Sequence, residues 1–223
     1  MSNIKEFLRS KKFNYIVSFL SALFGIFLYQ YCSYRNNAII RIKNESDIIG
    51  VWKDNSSGLI IGFETNGIAV VSRNGQIALI NNYFITNSAV IQIDAKNNVY
   101  SNYSRISRNK KRLNFKADKD IIYKKIDNKE YHIVKNADEV IGLWGKEIGN
   151  SHMGYSFLND GSLIILVGSV PMKPVLKYYI TNDIFFTVKD GEPQTQGFPL
   201  VFNKYKNILY IFGDVESPLT KYE

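Results

Sequence analysis

The chain has 223 residues, 45% hydrophobic and 14% aromatic, with a formal net charge of +8. That length allows one large or two small domains, and the composition excludes a disordered chain. Cys32 is the single cysteine, which excludes an intramolecular disulfide and leaves the compartment undecided.

Charge is unevenly placed. Residues 1–45 carry seven Lys/Arg against two Asp/Glu, and residues 46–127 carry twelve against seven. Residues 137–223 reverse the sign, with seven against ten. An acidic C-terminal half argues against a uniform nucleic-acid binder.

In chain order, residues 1–12 read as a short cytoplasmic tail bearing Lys5, Arg9, Lys11 and Lys12. Residues 13–32 read as one transmembrane helix. From Phe13 to Cys32 no residue is charged, and about twenty residues at helical rise span roughly 30 Å, the thickness of a hydrocarbon core. Tyr15, Tyr29 and Tyr31 stand near its ends, where amphipathic rings prefer the interface. The rivals are a buried core helix and a cleaved signal peptide. No A-x-A-like site follows the apolar run. Leu28-Tyr29-Gln30-Tyr31 is also too bulky before Cys32 for a lipoprotein cleavage site. Four cations before the helix against Arg35, Arg41 and Lys43 after it give a weak positive-inside bias. The expected topology is a single-pass bacterial inner-membrane protein. A juxtamembrane linker, 33–45, leads to a domain on the periplasmic or extracellular side.

The remainder divides into two similar halves: β-repeat 1 at 46–127, a linker at 128–136 and β-repeat 2 at 137–223. Asn44-Glu45-Ser46-Asp47-Ile48-Ile49-Gly50-Val51-Trp52 aligns with Asn136-Ala137-Asp138-Glu139-Val140-Ile141-Gly142-Leu143-Trp144. Tyr83-Phe84-Ile85-Thr86-Asn87 then aligns with Tyr178-Tyr179-Ile180-Thr181-Asn182, and Val90-Ile91-Gln92-Ile93 with Phe185-Phe186-Thr187-Val188. Asn followed three residues later by Asp or Glu predicts an N-capped turn of helix before Gly50 and Gly142.

Apolar runs broken by Asn-Gly, Asp-Gly and Asn-Asp predict strands joined by hairpins. In the first half these are 68–71, 83–86, 89–93, 113–116 and 121–125; in the second, 163–167, 177–181, 184–188, 200–203 and 208–212. All five prolines lie in the second half, at expected loop or edge positions. The fold class is all-β: two tandem antiparallel meander or barrel repeats behind one N-terminal transmembrane helix.

A Gly-x-Trp opening, a Phe before an Asn/Asp-Gly turn and a later run of short strands resemble the lipocalin-like modules of secreted bacterial proteins. The resemblance covers 46–127 and 137–223. It implies that Gly50 with Trp52, and Gly142 with Trp144, open the first strand of each unit, the Trp closing one barrel end. Each half is shorter than a full lipocalin.

Sites for chemistry are few. His132 falls in the linker and His152 in a polar loop, neither at metal-ligand spacing, and no metal or cofactor is expected. No Gly-x-Ser-x-Gly elbow occurs. Turn chemistry accounts for Asp160 and Asp183, so no catalytic residue is assigned and the chain is read as no enzyme. The conspicuous feature is a basic run, Arg105, Arg108, Lys110, Lys111 and Arg112, preceded by Tyr100 and Tyr103. It suits an anionic partner, or it is a solvated hairpin tip whose lysines discourage edge pairing. Strand alternation would put Arg108, Lys110 and Arg112 on one face and Lys111 on the other.

The leading functional expectation is an envelope binding or inhibitory module, of the immunity or accessory-subunit type, engaging another protein. Anionic lipid is a second partner and nucleic acid is not one. The alternative is a lipocalin-like carrier or sensor of a small apolar ligand, and a third reading is a carboxylate hydrolase. An apolar cavity would favour the carrier; a filled core would favour the binding module.

Overall fold

The computed structural model describes residues 11–116, 120–148, 151–168, 170–193, 197–211 and 214–222. Helix α1, Lys11–Asn37, opens the described chain. Its described apolar side chains, among them Phe19, Leu20, Phe24 and Phe27, are exposed. Among the described residues no helix is long and apolar enough to cross a membrane.

A short strand, β1 (Ile39–Arg41), follows α1. Eight strands then come in succession: β2 (Gly50–Asp54), β3 (Leu59–Phe63), β4 (Ile68–Arg73), β5 (Gln76–Thr86), β6 (Ala89–Ile93), β7 (Val99–Ser107), β8 (Arg112–Lys116) and β9 (Asp120–Ile126). Each pairs antiparallel with the next, and β9 returns to β2, closing an eight-stranded up-and-down barrel. This is the barrel architecture that the lipocalin resemblance implied. Closure leaves no free edge in the ring. β1 adds to β7, with Arg41 opposite Arg105.

Turn chemistry sets the hairpins. Asn74 and Gly75 both take positive φ, +54° and +78°, between Arg73 and Gln76. That left-handed pair matches the twist of the flanking strands. One departure from alternation matters. The β4–β5 register shifts between Val71, opposite Leu79, and Ser72, opposite Ile77, so Ala78 is an extra residue. A bulge of this kind changes the phase of a strand. It brings Ile77 and Ile80 to the same outer face, which simple period-two reading would not do.

The second sheet contains β10 (Tyr131–Ile133), β11 (Gly142–Ile148), β12 (Ser151–Phe157), β13 (Ser162–Val167), β14 (Val170–Pro171) and β15 (Leu176–Thr181). It continues with β16 (Ile184–Lys189), β17 (Glu192–Pro193), β18 (Leu200–Asn203), β19 (Ile208–Ile211) and β20 (Asp214–Lys221). The path runs β11-β12-β13-β15-β16 on one side and β11-β20-β19-β18-β10 on the other. A bridge between Phe185 and Phe198, made by N–H···O bonds of 2.8 and 3.1 Å, ties β16 to the segment entering β18. Both stretches expected as linkers therefore contain a short strand, β1 and β10.

The expected capping turns are 3-10 turns at Glu45–Asp47 and Ala137–Glu139, and neither Asn44 nor Asn136 caps with its side chain. The acid three residues on does the work instead. Asp47 accepts the Lys43 N–H at 3.0 Å, and Glu139 accepts the Lys135 N–H at 2.9 Å. The bond resembles the returning half of a capping box but reaches one residue further back, to the N–H before the N-cap.

Three apolar cores result. The first fills the barrel with Trp52, Phe63, Tyr83, Phe115, Tyr123 and aliphatic neighbours. A second lies inside the other sheet, around Trp144, Phe157, Tyr178, Phe185 and Phe202. The third joins the two: Ile68, Val70, Ile77 and Ile80 from the outer face of β4–β5 meet Tyr131, Ile133, Val201 and Tyr210. Polar groups lock the seam. Glu64 accepts the Tyr131 hydroxyl at 2.5 Å and Lys129 Nζ at 2.6 Å, and Glu130 accepts the Gly75 N–H at 3.0 Å.

Candidate functional site

Trp52 and Trp144 are fully buried, and each makes the same local bond. The Trp52 indole N–H donates to the Ile48 carbonyl at 2.6 Å, and that of Trp144 to the Val140 carbonyl at 2.7 Å. Lys125 lies over the Trp52 ring at 5.4 Å and Lys221 over that of Trp144 at 5.5 Å. Gly50 and Gly142 both take φ +125°, and a Cβ on Gly50 would stand 2.7 Å from Lys125 Cε. Glycine thus admits the lysine that covers each indole. Beyond each Trp, a Phe meets a Tyr edge-on: Phe63 with Tyr83 at 4.9 Å, and Phe157 with Tyr178 at 5.2 Å.

These rings occupy the interior that a carrier would keep open. Burial, followed by the Glu45 and Glu64 carboxylates, pushes the Tyr83 hydroxyl up to about 12. Burial, followed by Asp54, does the same to Tyr123.

The basic run does not behave as a strand. Arg108–Lys111 form the tip between β7 and β8. Ser107 Oγ accepts the N–H groups of Lys111 at 3.1 Å and Arg112 at 2.9 Å, while Lys110 takes φ +53°. The alternation expected for Arg108, Lys110 and Arg112 is therefore overturned, because a side-chain acceptor folds the backbone back on itself. Lys110 is also engaged, pairing with Asp47 at 3.1 Å. Burial would raise the Asp47 carboxyl, but the Lys43 N–H and Lys110 hold it below its ordinary value. Arg108, Lys111 and Arg112 are exposed.

Arg105 belongs elsewhere. It lies in β7 on the outer face, opposite Arg41 of β1 on one side and Asn114 of β8 on the other. Tyr103 stands opposite Lys116 one step along. The β5–β6 turn, Asn87 and Ser88, closes the end, with the Ser88 carbonyl accepting the Ser104 N–H at 3.1 Å. Together they line an open groove of about 650 Å³. Among the described side chains none of Arg41, Arg105 and Lys116 has an ion-pair partner. The groove is thus cationic, polar and rich in hydrogen-bond donors. Sequence reading singled out Arg105, in a basic run that continues to Lys116, but missed Arg41, since only the β1–β7 register brings it there.

Elsewhere, His132 is in β10, with Nε2 2.5 Å from Glu139 Oε2, and Lys206 is 3.5 Å from the same oxygen. Burial alone would raise the Glu139 carboxyl; the Lys135 N–H, His132 and Lys206 bring it below its ordinary value. His152 lies exposed in β12. Asp160 accepts the Ser162 hydroxyl and N–H at 2.9 Å each, a turn role. Among the described residues no three His, Cys, Asp or Glu side chains gather as a metal site. Beside β14 the chain exposes an apolar arm with Val167, Val170, Met172 and Val175.

No protein-family model matches the chain, and no curated protein matches it.

Proposed function

We propose that the chain is a membrane-anchored envelope module that binds another protein with the outer faces of two tandem β-barrel repeats. The filled interior of the first barrel carries this reading. Trp52, Phe63, Tyr83, Phe115 and Tyr123 occupy the volume in which a carrier would hold an apolar ligand. That observation favours surface recognition over the carrier alternative.

The duplication is supported by register as well as by sequence. β11, β12, β13, β15, β16, β18, β19 and β20 follow the order of β2 to β9, and the extra strands β1 and β10 pair with β7 and β18. The anchor rests on the uncharged run Phe13–Cys32, counted with Phe13, Asn14, Ile16 and Val17, whose side chains lie outside the described set. The exposed apolar side chains of α1 need an apolar surrounding, and a bilayer supplies one.

The test is photo-crosslinking in cells, with a photoreactive amino acid placed in turn at the exposed positions Phe84, Ile122 and Val170 on different outer faces. A discrete adduct with another protein from at least one position is the expected result. No adduct from any, together with stoichiometric binding of a fluorescent fatty acid by the purified chain, would replace this reading with the carrier.

A further inference from the structure

We propose that the outer face of β1, β7 and β8 is the docking site for the acidic surface of a partner protein, with Arg41 and Arg105 as its carboxylate-binding residues. The inference rests on the tandem-repeat, binding-module reading and deepens it by naming a face and a partner chemistry.

The argument comes from the equivalent face of the second sheet. There Ile133 of β10 stands opposite Val201 of β18, and Val201 stands opposite Tyr210 of β19. All three are buried, covered by β4–β5 of the first barrel. In the first barrel the same three-strand ladder sets Arg41 opposite Arg105, and Arg105 opposite Asn114. The fold therefore uses this face once already to seat a protein surface. Its first copy is left open, with two arginines and an asparagine where the second copy has Ile, Val and Tyr. A face that docks an apolar hairpin through apolar side chains has become one that requires an anionic counterpart.

The chemistry calls for an oxyanion, and a face whose second copy seats a protein surface favours the carboxylates of a protein. Arg41 and Arg105 are directly cross-strand neighbours, and each guanidinium fork can donate two N–H bonds to a carboxylate. Lys116 adds a third cation, while Asn87, Ser88 and Asn114 supply neutral donors and acceptors. Tyr103, 65% exposed beside them, offers the amphipathic ring common at protein interfaces. The groove is concave and its neutral lining is mixed, with Ile39 and the Tyr103 ring beside polar Asn87, Ser88 and Asn114, which suits a shaped protein surface.

The experiment puts the photoreactive amino acid at Tyr103 in the full-length membrane protein, alone and combined with Arg41→Gln and Arg105→Gln. Both arginines are exposed, and an unchanged melting temperature verifies that the double variant folds. The expected result is one heterologous adduct from Tyr103 that disappears in the double variant and is weakened but not lost with Arg41→Lys, which keeps the charge without the fork. The captured protein, purified and rebound, should lose at least about tenfold in affinity to the double variant, with a shallower salt dependence. Four results overturn the proposal: an adduct that survives the double variant, an adduct between two copies of this chain, adducts only from other faces such as Val170, or no adduct at Tyr103 with arginine-dependent binding to phosphatidylglycerol-containing vesicles. The third leaves the binding-module reading standing; absence of adducts from every position removes this proposal, and together with fatty-acid binding it removes the binding module as well.

Discussion

Gly62 offers the sharpest test of how the two sheets are joined. It lies in β3, between the inward-facing Ile61 and Phe63, and so points out of the barrel toward the second sheet. A Cβ built there would stand 1.6 Å from the Tyr131 hydroxyl oxygen and 2.5 Å from its Cζ. No rotamer adjustment of a few tenths of an ångström absorbs that overlap, so Gly62→Ala must expel the ring. Tyr131 is 4% exposed and belongs to the shared core. Losing a buried aromatic from its site costs about 3–5 kcal/mol at most, a sum that already includes its hydrogen bond to Glu64. Alanine in a strand recovers roughly 0.5–1 kcal/mol over glycine. The net expectation is a loss of about 2–4 kcal/mol.

Urea unfolding of the full-length protein in detergent, followed by tryptophan fluorescence, measures it. Trp52 and Trp144 lie in the two different cores, so both sides of the seam are reported. The deciding comparison is a double-mutant cycle. In a Tyr131→Ala background the clash is gone, and Gly62→Ala should be neutral or slightly stabilising. An undiminished cost there would locate the strain within β3 itself and refute the account of the seam.

Trp52→Ala and Trp144→Ala should each destabilise by about 3–5 kcal/mol in the same assay; a loss under about 1 kcal/mol at either site would show that its indole does not hold the core. Alkali should loosen the protein: burial first, then Glu64, raises the Tyr131 hydroxyl well above its ordinary value of 10.0, and Tyr83 and Tyr123 reach about 12. A raised folded-state value favours the neutral phenol, so this stability is fully present below about pH 10 and is lost as pH climbs through the folded values; a urea midpoint that stays flat above pH 10 would contradict it. Protease added to spheroplasts should remove most of the chain and leave a small fragment containing α1, whereas full protection would place the β-domain inside the cell, and a mature N-terminus beyond Gln30 would show that the anchor is cleaved.

Ten strands were legible as apolar runs between turn residues, and nine are present within two residues of their expected bounds, from Ile68–Arg73 to Ile208–Ile211, with the last expected residue, 212, outside the described residues. The tenth, expected at 83–86, is only the end of β5, which begins seven residues earlier at Gln76. Alternation and left-handed turn residues are local properties, so they can be read along the chain. The strands β2 and β11 were marked only by their Gly-x-Trp openings. β1 and β10, three residues each, carried no periodic signal at all.

By itself, then, the sequence determined an all-β domain, with a Gly-x-Trp segment at 50–52 and again at 142–144, and with more cations in residues 46–127 than in 137–223. Tertiary structure alone decided three further things. It closed the barrel by pairing β9 with β2, turned Ile77 and Ile80 to one face through the bulge at Ala78, and set Arg41 beside Arg105 and Asn114. Barrel closure and the Arg41–Arg105 pairing depend on register between strands distant in sequence, while the bulge sits within one hairpin whose outer face is buried only by the second sheet. Register is chosen by which faces bury their apolar side chains together, and no single segment carries that information.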